Sequence, residues 1–279
     1  MTLKSIVGGL AVLLSSCGCS TWLCDRPLGE LFAEAGVKVT DGKGRAGSVR
    51  HSFRFEGFNA YIDEPVNPRP GREWIWCMKW PGAFDDRTGQ ADGVRRGYYY
   101  VYLDDINWMN PKGTEAAKRF HDFLVQRLGF ARKAFLIGMS WGGFYSTRYA
   151  STYPDDVERI YLDAPVMSFH GFNHRKWASA AAAWPTADGH DWKTDPLMPI
   201  NRAKPIADAG IPILLLYGGA DKVVDPSENC EIFIERFRAA GGEITVFRRP
   251  TYGHHPHGFQ EPDRRGSVVD FFEGRTPTP

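Results

Sequence analysis

The chain has 279 residues, of which 43% are hydrophobic and 24% charged, the balance of a globular protein with a sizeable core. Its formal net charge of +1 argues against a nucleic acid or another polyanion as a partner. The chain has no Gly-x-x-x-x-Gly-Lys-Ser/Thr loop for nucleotide phosphates, and we expect no cofactor.

The first twenty residues have the features of a targeting segment. Lys4 provides the positive start, Ile6 to Leu14 are apolar, and Leu14-Ser15-Ser16-Cys17 resembles a bacterial lipobox. The apolar run is too short to remain in a bilayer as a spanning helix. We therefore predict a signal peptide of the lipoprotein type over 1–20, with a lipidated Cys17 as a membrane tether. An ordinary signal peptide cut nearby is the alternative, and either one exports the protein.

Residues 21–48 are mixed in character, and we interpret them as an N-terminal linker in which Asp41 to Gly47 form a flexible turn. In an oxidising compartment the cysteines of the mature chain could form disulfides, although the sequence does not indicate which pair. These cysteines are Cys19, Cys24, Cys77 and Cys230.

From residue 49 to residue 279 the chain alternates between strand and helix patterns. The predicted strands are 49–55, 58–63, 73–78, 98–103, 133–138, 157–163, 212–217 and 243–248. The predicted helices are 112–128, 141–152, 227–240 and 264–274. Alternation of this kind predicts an α/β fold with a mostly parallel sheet covered by helices on both faces. The first two strands are too close for a helical crossover, so we expect an antiparallel hairpin there.

A Gly-x-Ser-x-Gly motif, Gly138–Gly142, links the strand 133–138 to the helix 141–152. A sharp strand-to-helix turn lifts a serine out of the sheet toward a base, which it needs because a hydroxyl is a poor nucleophile. Ser140 is therefore the candidate nucleophile.

An acidic residue follows the next strong strand pattern. Asp221 lies just beyond strand 212–217, at the end of a parallel strand where functional groups collect. A turn or cap role is its structural alternative. Asp225 is the second candidate, but Asp225-Pro226 is more typical of a helix start.

Three histidines follow the last predicted strand. His254 comes directly after Gly253 and is the candidate base, while we expect His255 and His257 to frame the loop. A metal site is the alternative for this cluster. No nearby cysteine or carboxylate has a familiar ligand spacing, so we expect no metal.

In their order and their positions after strands, these three motifs resemble those of serine α/β-hydrolases, on the dienelactone-hydrolase and prolyl-oligopeptidase side of that superfamily. The resemblance spans about residues 50–275. It implies an oxyanion hole of two backbone N–H groups, one of them from Trp141. The second donor would come from Lys79 or Trp80, with Trp80 preferred because it directly precedes Pro81. Some relatives use an acid at the position of Asp163, which is therefore an alternative to Asp221.

Residues 165–205 contain no strand pattern, and the resemblance implies that they form a cap over the active site. Trp177, Trp184 and Trp192 lie in this segment. They could stack on a sugar or an aromatic acyl group, or they could pack into a small core of the cap.

The resemblance implies hydrolysis through an acyl-serine intermediate. We predict a carboxylic ester hydrolase whose substrate is a small-molecule or glycan ester, because no peptide-reading feature is evident. A prolyl-oligopeptidase-like serine peptidase and a catalytically inactive binding module with this fold are the alternatives. The sequence makes no prediction of the oligomeric state.

Overall fold

The computed structural model describes residues 23–170, 176–187 and 189–279. The predicted signal peptide, including Cys17 and Cys19, lies outside these residues. No helix within the described ranges is long and apolar enough to cross a membrane.

A nine-stranded sheet forms the centre of the fold. Its strands are β1 (Val39–Lys43), β2 (Val49–Phe55), β3 (Phe58–Glu64), β4 (Trp74–Cys77), β5 (Tyr99–Leu103), β6 (Ala134–Met139), β7 (Val157–Asp163), β8 (Ile213–Gly218) and β9 (Ile244–Arg249). The α-helices of the described residues are α1 (Leu28–Glu34), α2 (Gln90–Arg95), α3 (Pro111–Leu128), α4 (Trp141–Thr152), α5 (Ala178–Ala183), α6 (Ala203–Asp208), α7 (Cys230–Ala239) and α8 (Ser267–Phe272).

The strand order is β1-β2-β3-β5-β4-β6-β7-β8-β9. The first three strands and β5 pair in antiparallel fashion, whereas β5 to β9 form a parallel block. The predicted fold class is therefore confirmed, and so is the hairpin of β2 and β3.

Helices cover both faces of the parallel block, which explains why its strands are apolar on both sides. Strands β4, β6 and β8 are buried along their whole length. On one face, Phe120 of α3 and Phe144 of α4 belong to the larger core; on the other, Val94 of α2 and Val268 of α8 belong to a second core. This two-sided burial is the usual environment of parallel strands.

Helix α3 has clear start and stop signals in the sequence. The Asn110 side chain accepts a hydrogen bond from the Gly113 N–H group at 2.8 Å, Pro111 occupies the first turn, and Gly129 adopts φ 68° after the last turn. Asparagine caps, early proline and terminal glycine each suit these positions for separate physical reasons.

The expectation of a linker over 21–48 needs correction, because this segment contributes α1 and β1 to the domain. Leu28, Leu31 and Phe32 of α1 enter the larger core. Strand β1 pairs with β2 over five residues, although four of the five are exposed. An exposed edge strand is held by backbone hydrogen bonds rather than by apolar burial, so no hydrophobic alternation reveals it.

Two of the cysteines considered for disulfides are buried in separate parts of the fold. Cys77 ends β4 and Cys230 begins α7, and both are free thiols. Burial raises the pKa of Cys77 to about 11, which keeps this thiol protonated and unreactive at neutral pH.

The chain reverses direction across the sheet at β4, and this reversal sets the position of the site. After β4 the chain passes through α2 to β5 on one side, and then through α3 to β6 on the other. The loops that leave β4 and β6 consequently diverge to opposite faces. A crevice opens at such a switch point, where open α/β sheets bind ligands.

Candidate active site

Ser140 stands between β6 and α4 in a strained backbone conformation. Its φ is 49° and its ψ is −118°. Few non-glycine residues have positive φ, and such strain persists only where the surroundings hold it. Here the Ser140 N–H group donates to the Asp163 carbonyl, and the Ser140 carbonyl accepts from the N–H groups of Gly143 and Val166, all at 2.9 Å.

Gly138 allows the turn to close tightly over the start of α4. A Cβ atom at this position would lie 2.5 Å from Oγ of Ser146 and 2.7 Å from the carbonyl oxygen of Gly142. Only glycine fits without displacing the helix that follows Ser140.

The turn after β8 and the loop after β9 are joined by their backbones. The Ala220 N–H group donates to the Tyr252 carbonyl at 2.9 Å. A Cβ atom on Gly218 would lie 2.2 Å from the same carbonyl oxygen and 2.3 Å from that of Gly253. This close approach holds Asp221 and His254 next to each other.

Ser140, His254 and Asp221 form a continuous chain of hydrogen bonds. The Ser140 hydroxyl lies 3.1 Å from Nε2 of His254, and Nδ1 of His254 donates to Oδ2 of Asp221 at 2.7 Å. The other carboxylate oxygen accepts from the N–H groups of Val223 and Val224 at 2.8 and 3.0 Å. This geometry lets an imidazole take a hydroxyl proton while a carboxylate orients it.

The environment of Asp221 keeps its carboxylate ionised. Burial acts to raise its pKa, but hydrogen bonds from His254 and from the Val223 and Val224 N–H groups outweigh burial and lower the pKa below its usual value. The carboxylate can therefore stabilise an imidazolium at neutral pH.

Asp163 belongs to a different pair. Its carboxylate is fully buried and accepts hydrogen bonds from Nδ1 of His257 at 2.8 Å, from the Gly258 N–H group at 2.6 Å and from the Tyr161 hydroxyl at 2.6 Å. It makes no hydrogen bond to His254. The structure thus joins Asp221, and not Asp163, to the candidate base.

Asp225 lies apart from this chain of hydrogen bonds. Its carboxylate accepts from the Ser227 N–H group at 2.9 Å and from the Ser227 hydroxyl at 2.8 Å. This is the capping arrangement of a short 3₁₀ turn before α7.

The loop after β4 lies beside the start of α4, where the second oxyanion donor was predicted. The backbone nitrogen of Lys79 is 3.4 Å from the position that a Cβ atom on Gly142 would occupy. The ammonium group of Lys79 forms an ion pair with Asp105 and lies 5.1 Å from the ring centre of Trp108. Trp80 has φ 61° and its side chain lines the active-site cavity. The donor roles of Trp80 and Trp141 stay predictions.

A cavity of about 350 Å³ opens above Ser140 and His254. Within the described parts of the chain, its wall contains no lysine, arginine, aspartate or glutamate, and its polar side chains are those of Ser140 and three histidines. The lining residues are Trp80, Ala83, Phe84, Met139, Ser140, Trp141, Trp177, Val223, His254, His255 and His257. A neutral, largely apolar group fits such a wall.

The three tryptophans of segment 165–205 have different environments. Trp177 is 41% exposed and faces the cavity, with its ring centre 6.1 Å from that of Trp80. Trp184 is buried, and its indole N–H group donates to the Trp108 carbonyl at 2.8 Å. Trp184 and Trp192 both pack against Phe169, with ring centres 5.4 and 4.8 Å away. One tryptophan ring therefore lines the cavity, where it could contact a substrate, and the other two belong to a local core of the segment.

Two further residues of the cavity wall were not predicted as site residues. Phe84 lies in the loop after β4, where its ring stacks on His255 with centres 5.7 Å apart. Val223 is 58% exposed and lies in the turn that contains Asp221, although it was not predicted as a site residue. Only the folded loops bring these two residues to the cavity.

In a comparison with known families, residues 71–196 match the family described as the α/β hydrolase fold. The sheet order, the strained conformation of Ser140 and this match all indicate the same fold. The chain has the α/β-hydrolase fold. A comparison with curated protein sequences gives no match.

Solved α/β-hydrolase structures share this fold at low identity. Dipeptidyl peptidase 4 of Porphyromonas gingivalis has a TM-score of 0.60 at 14% identity, covering 86% of this chain and 35% of its own. The acylaminoacyl peptidase of Pyrococcus horikoshii has a TM-score of 0.61 at 14% identity, covering 87% of this chain and 42% of its own. An S-formylglutathione hydrolase from Agrobacterium tumefaciens has a TM-score of 0.59 at 12% identity, covering 86% of this chain and 100% of its own. The chain thus spans less than half the length of either peptidase.

Proposed function

We propose that this protein is a serine hydrolase that cleaves carboxylic esters through an acyl-Ser140 intermediate. The observation that carries the proposal is the hydrogen-bonded chain Ser140–His254–Asp221 at the floor of the cavity. An inactive binding module with this fold would need no such alignment of a nucleophile, a base and an acid.

In the proposed reaction, Nε2 of His254 takes the hydroxyl proton as Oγ of Ser140 bonds to the acyl carbon. The tetrahedral intermediate collapses when the ester C–O bond breaks, and His254 returns the proton to the departing alcohol. Water then attacks the acyl-enzyme by the same steps and releases the carboxylic acid. Asp221 stabilises the transient imidazolium. We assign the oxyanion contacts to the backbone N–H groups of Trp141 and Trp80.

The cavity wall favours an ester over a peptide substrate. Its described residues offer no charged side chain that could bind a peptide terminus or a charged side chain of a substrate. Aromatic rings line it instead, and they suit an apolar or aromatic acyl group. Trp177 at the open side could equally stack on a sugar, which makes carbohydrate-linked esters a substrate class to test.

A serine peptidase is the second candidate. It is favoured by the fold similarity to dipeptidyl peptidase 4 and acylaminoacyl peptidase. The same three residues would carry acyl transfer from an amide, so a difference in substrate preference is what distinguishes the two candidates.

We also propose that the protein is exported, most simply as a lipoprotein tethered through Cys17. The proposal depends on the lipobox-like Leu14-Ser15-Ser16-Cys17 and the short apolar run before it. Mass spectrometry of the mature protein should find a lipidated N-terminal cysteine, and Cys17→Ser should remain unlipidated. A mature chain that begins elsewhere without lipid would favour the ordinary signal peptide.

Activity-based labelling tests the serine hydrolase proposal. A fluorophosphonate should label the wild type and should not label Ser140→Ala, whereas Ser52→Ala, which changes an exposed serine on β2, should label normally. Equal labelling of wild type and Ser140→Ala, or labelling of neither, would exclude the proposal.

A substrate panel then separates ester from peptide hydrolysis. Acetyl, benzoyl and cinnamoyl esters of p-nitrophenol and of a methyl glycoside are compared with peptide anilides of the same acyl length. Higher kcat/KM on the esters supports the first candidate, and higher kcat/KM on the anilides supports the peptidase.

A further inference from the structure

The three histidines of the last loop converge in space, which their positions in the sequence did not predict. His254, His255 and His257 each offer one ring nitrogen, and these three atoms lie within 4.8 Å of one another. All three side chains line the cavity. Their ring centres are 4.9 to 5.0 Å apart.

Two of these imidazoles are oriented by buried carboxylates. Nδ1 of His254 donates to Asp221, and Nδ1 of His257 donates to Asp163. In the neutral ring this hydrogen bond leaves the lone pair on Nε2. A carboxylate behind a histidine is the arrangement that fixes the tautomer of histidine ligands in metal sites and raises their basicity. No nearby carboxylate has a familiar ligand spacing to these histidines in the sequence. The fold brings Asp163 at the end of β7 and Asp221 in the turn after β8 next to them.

The charges around the cluster suit a divalent cation. The carboxyl groups of Asp163 and Asp221 are buried directly behind the rings of His257 and His254, at 2.8 and 2.7 Å from their Nδ1 atoms. Among the described lining residues no lysine or arginine opposes a cation.

We propose that His254, His255 and His257 form a site for one divalent transition-metal ion that imidazole prefers, such as Zn²⁺, Ni²⁺ or Cu²⁺. The cavity leaves the fourth coordination position open to water. Metal–nitrogen bonds of about 2.0–2.1 Å require the three nitrogens to approach to about 3.3 Å. His255 is the exposed member of the set, so we expect its side chain to make most of this adjustment.

Such an ion would act as an inhibitor. A metal bond to Nε2 of His254 occupies the lone pair that would take the Ser140 proton, so hydrolysis stops while the ion is bound. This consequence rests on the proposed function, whereas binding of the ion does not. Binding of the ion and inhibition by the ion are therefore measured separately.

Binding is measured by titrating ZnCl₂ into Ser140→Ala protein followed by calorimetry, because this variant keeps all three imidazoles and cannot turn over substrate. We expect one ion per chain. Adding His255→Ala should weaken binding by at least about 10-fold, since loss of a ligand should cost no less than loss of a partner behind it. The matched control, His190→Ala, removes a histidine that pairs with Asp195 outside the cavity and should leave the affinity unchanged.

Co²⁺ gives a second readout, because a site with three nitrogen ligands should produce visible absorption bands that disappear with His255→Ala. No binding to Ser140→Ala, or equal loss of affinity in the His255 and His190 variants, would overturn the proposal. In the wild type, Zn²⁺ should inhibit ester hydrolysis and EDTA should restore it. Zn²⁺ that binds at the histidines without inhibiting would support the site and count against His254 as the base.

Discussion

His257 donates a hydrogen bond to Asp163 at 2.8 Å, directly beside the Asp221–His254 pair, and the rings of His257 and His254 are 5.0 Å apart. One loop therefore carries two carboxylate-bound imidazoles. The first pair reaches Ser140, while the second holds the loop to the end of β7. This division of roles leads to different expectations for the two aspartates.

Replacing the two aspartates should affect different properties. Asp221→Asn should lower kcat for an ester by about 10⁴-fold, because the amide no longer holds His254 in the required tautomer. Asp163→Asn leaves the His254–Ser140 contact in place and should keep kcat within about 10-fold of the wild type. Steady-state kinetics on a soluble acetyl ester would check this. A larger loss from Asp163→Asn than from Asp221→Asn would contradict the assignment of the acid.

The stabilising effect of Asp163 should depend on pH. Its pKa is lowered in the folded state, because interaction with His257 and the hydrogen bonds outweigh burial. The unfolded chain therefore binds the proton more readily, and stability falls as the pH decreases. An unfolded aspartate titrates at about 3.9, so the contribution is complete above about pH 5 and is lost progressively as the pH falls below about 4 toward the lower pKa of the folded state.

Asp163→Asn makes this contribution measurable. At pH 7 the variant should be less stable by about 1–3 kcal/mol, because it loses charge-assisted bonds in a buried position. The difference in Tm from the wild type should shrink as thermal denaturation is repeated from pH 5 down to pH 3. A Tm difference that stays constant or grows as the pH falls would show that the lowered pKa of Asp163 does not contribute to stability.

Trp177 should select the acyl or sugar group of the substrate. Trp177→Ala should lower kcat/KM for aromatic esters by about 5- to 10-fold, the value of one aromatic contact of about 1–1.5 kcal/mol, with little change for acetyl esters. Trp192→Phe is the matched control, because Trp192 packs on Phe169 and does not line the cavity. Equal losses on both ester classes would mean that Trp177 contributes only to the fold.

Gly138 should be intolerant of a side chain. Gly138→Ala should cost about 1–3 kcal/mol in the free energy of unfolding, because its Cβ atom would lie 2.5 Å from Oγ of Ser146. Esterase activity should fall as well, since the displaced turn carries Ser140. Gly29→Ala in helix α1 is the control: a Cβ atom there meets nothing within 4 Å, so this change should lower neither the free energy of unfolding, measured by urea denaturation, nor the activity.

Local sequence patterns were sufficient to predict most of the central sheet and helix α3. The buried strands β4, β6 and β8 are apolar because both of their faces are covered, and α3 carries its own start and stop signals. The edge strand β1 and the short helix α2 were not predicted, because partners distant in the sequence stabilise them rather than any pattern of their own.

The sequence by itself determined the order of the motifs and the candidates Ser140, Asp221 and His254, since each follows a strand whose hydrophobic pattern is local. Only the tertiary structure decided which aspartate meets His254, because Asp221 lies 33 residues and Ser140 114 residues away along the chain. The partnership of Asp163 with His257 and the convergence of three imidazoles have the same origin. These side chains meet because the parallel strands that precede them end at one edge of the sheet.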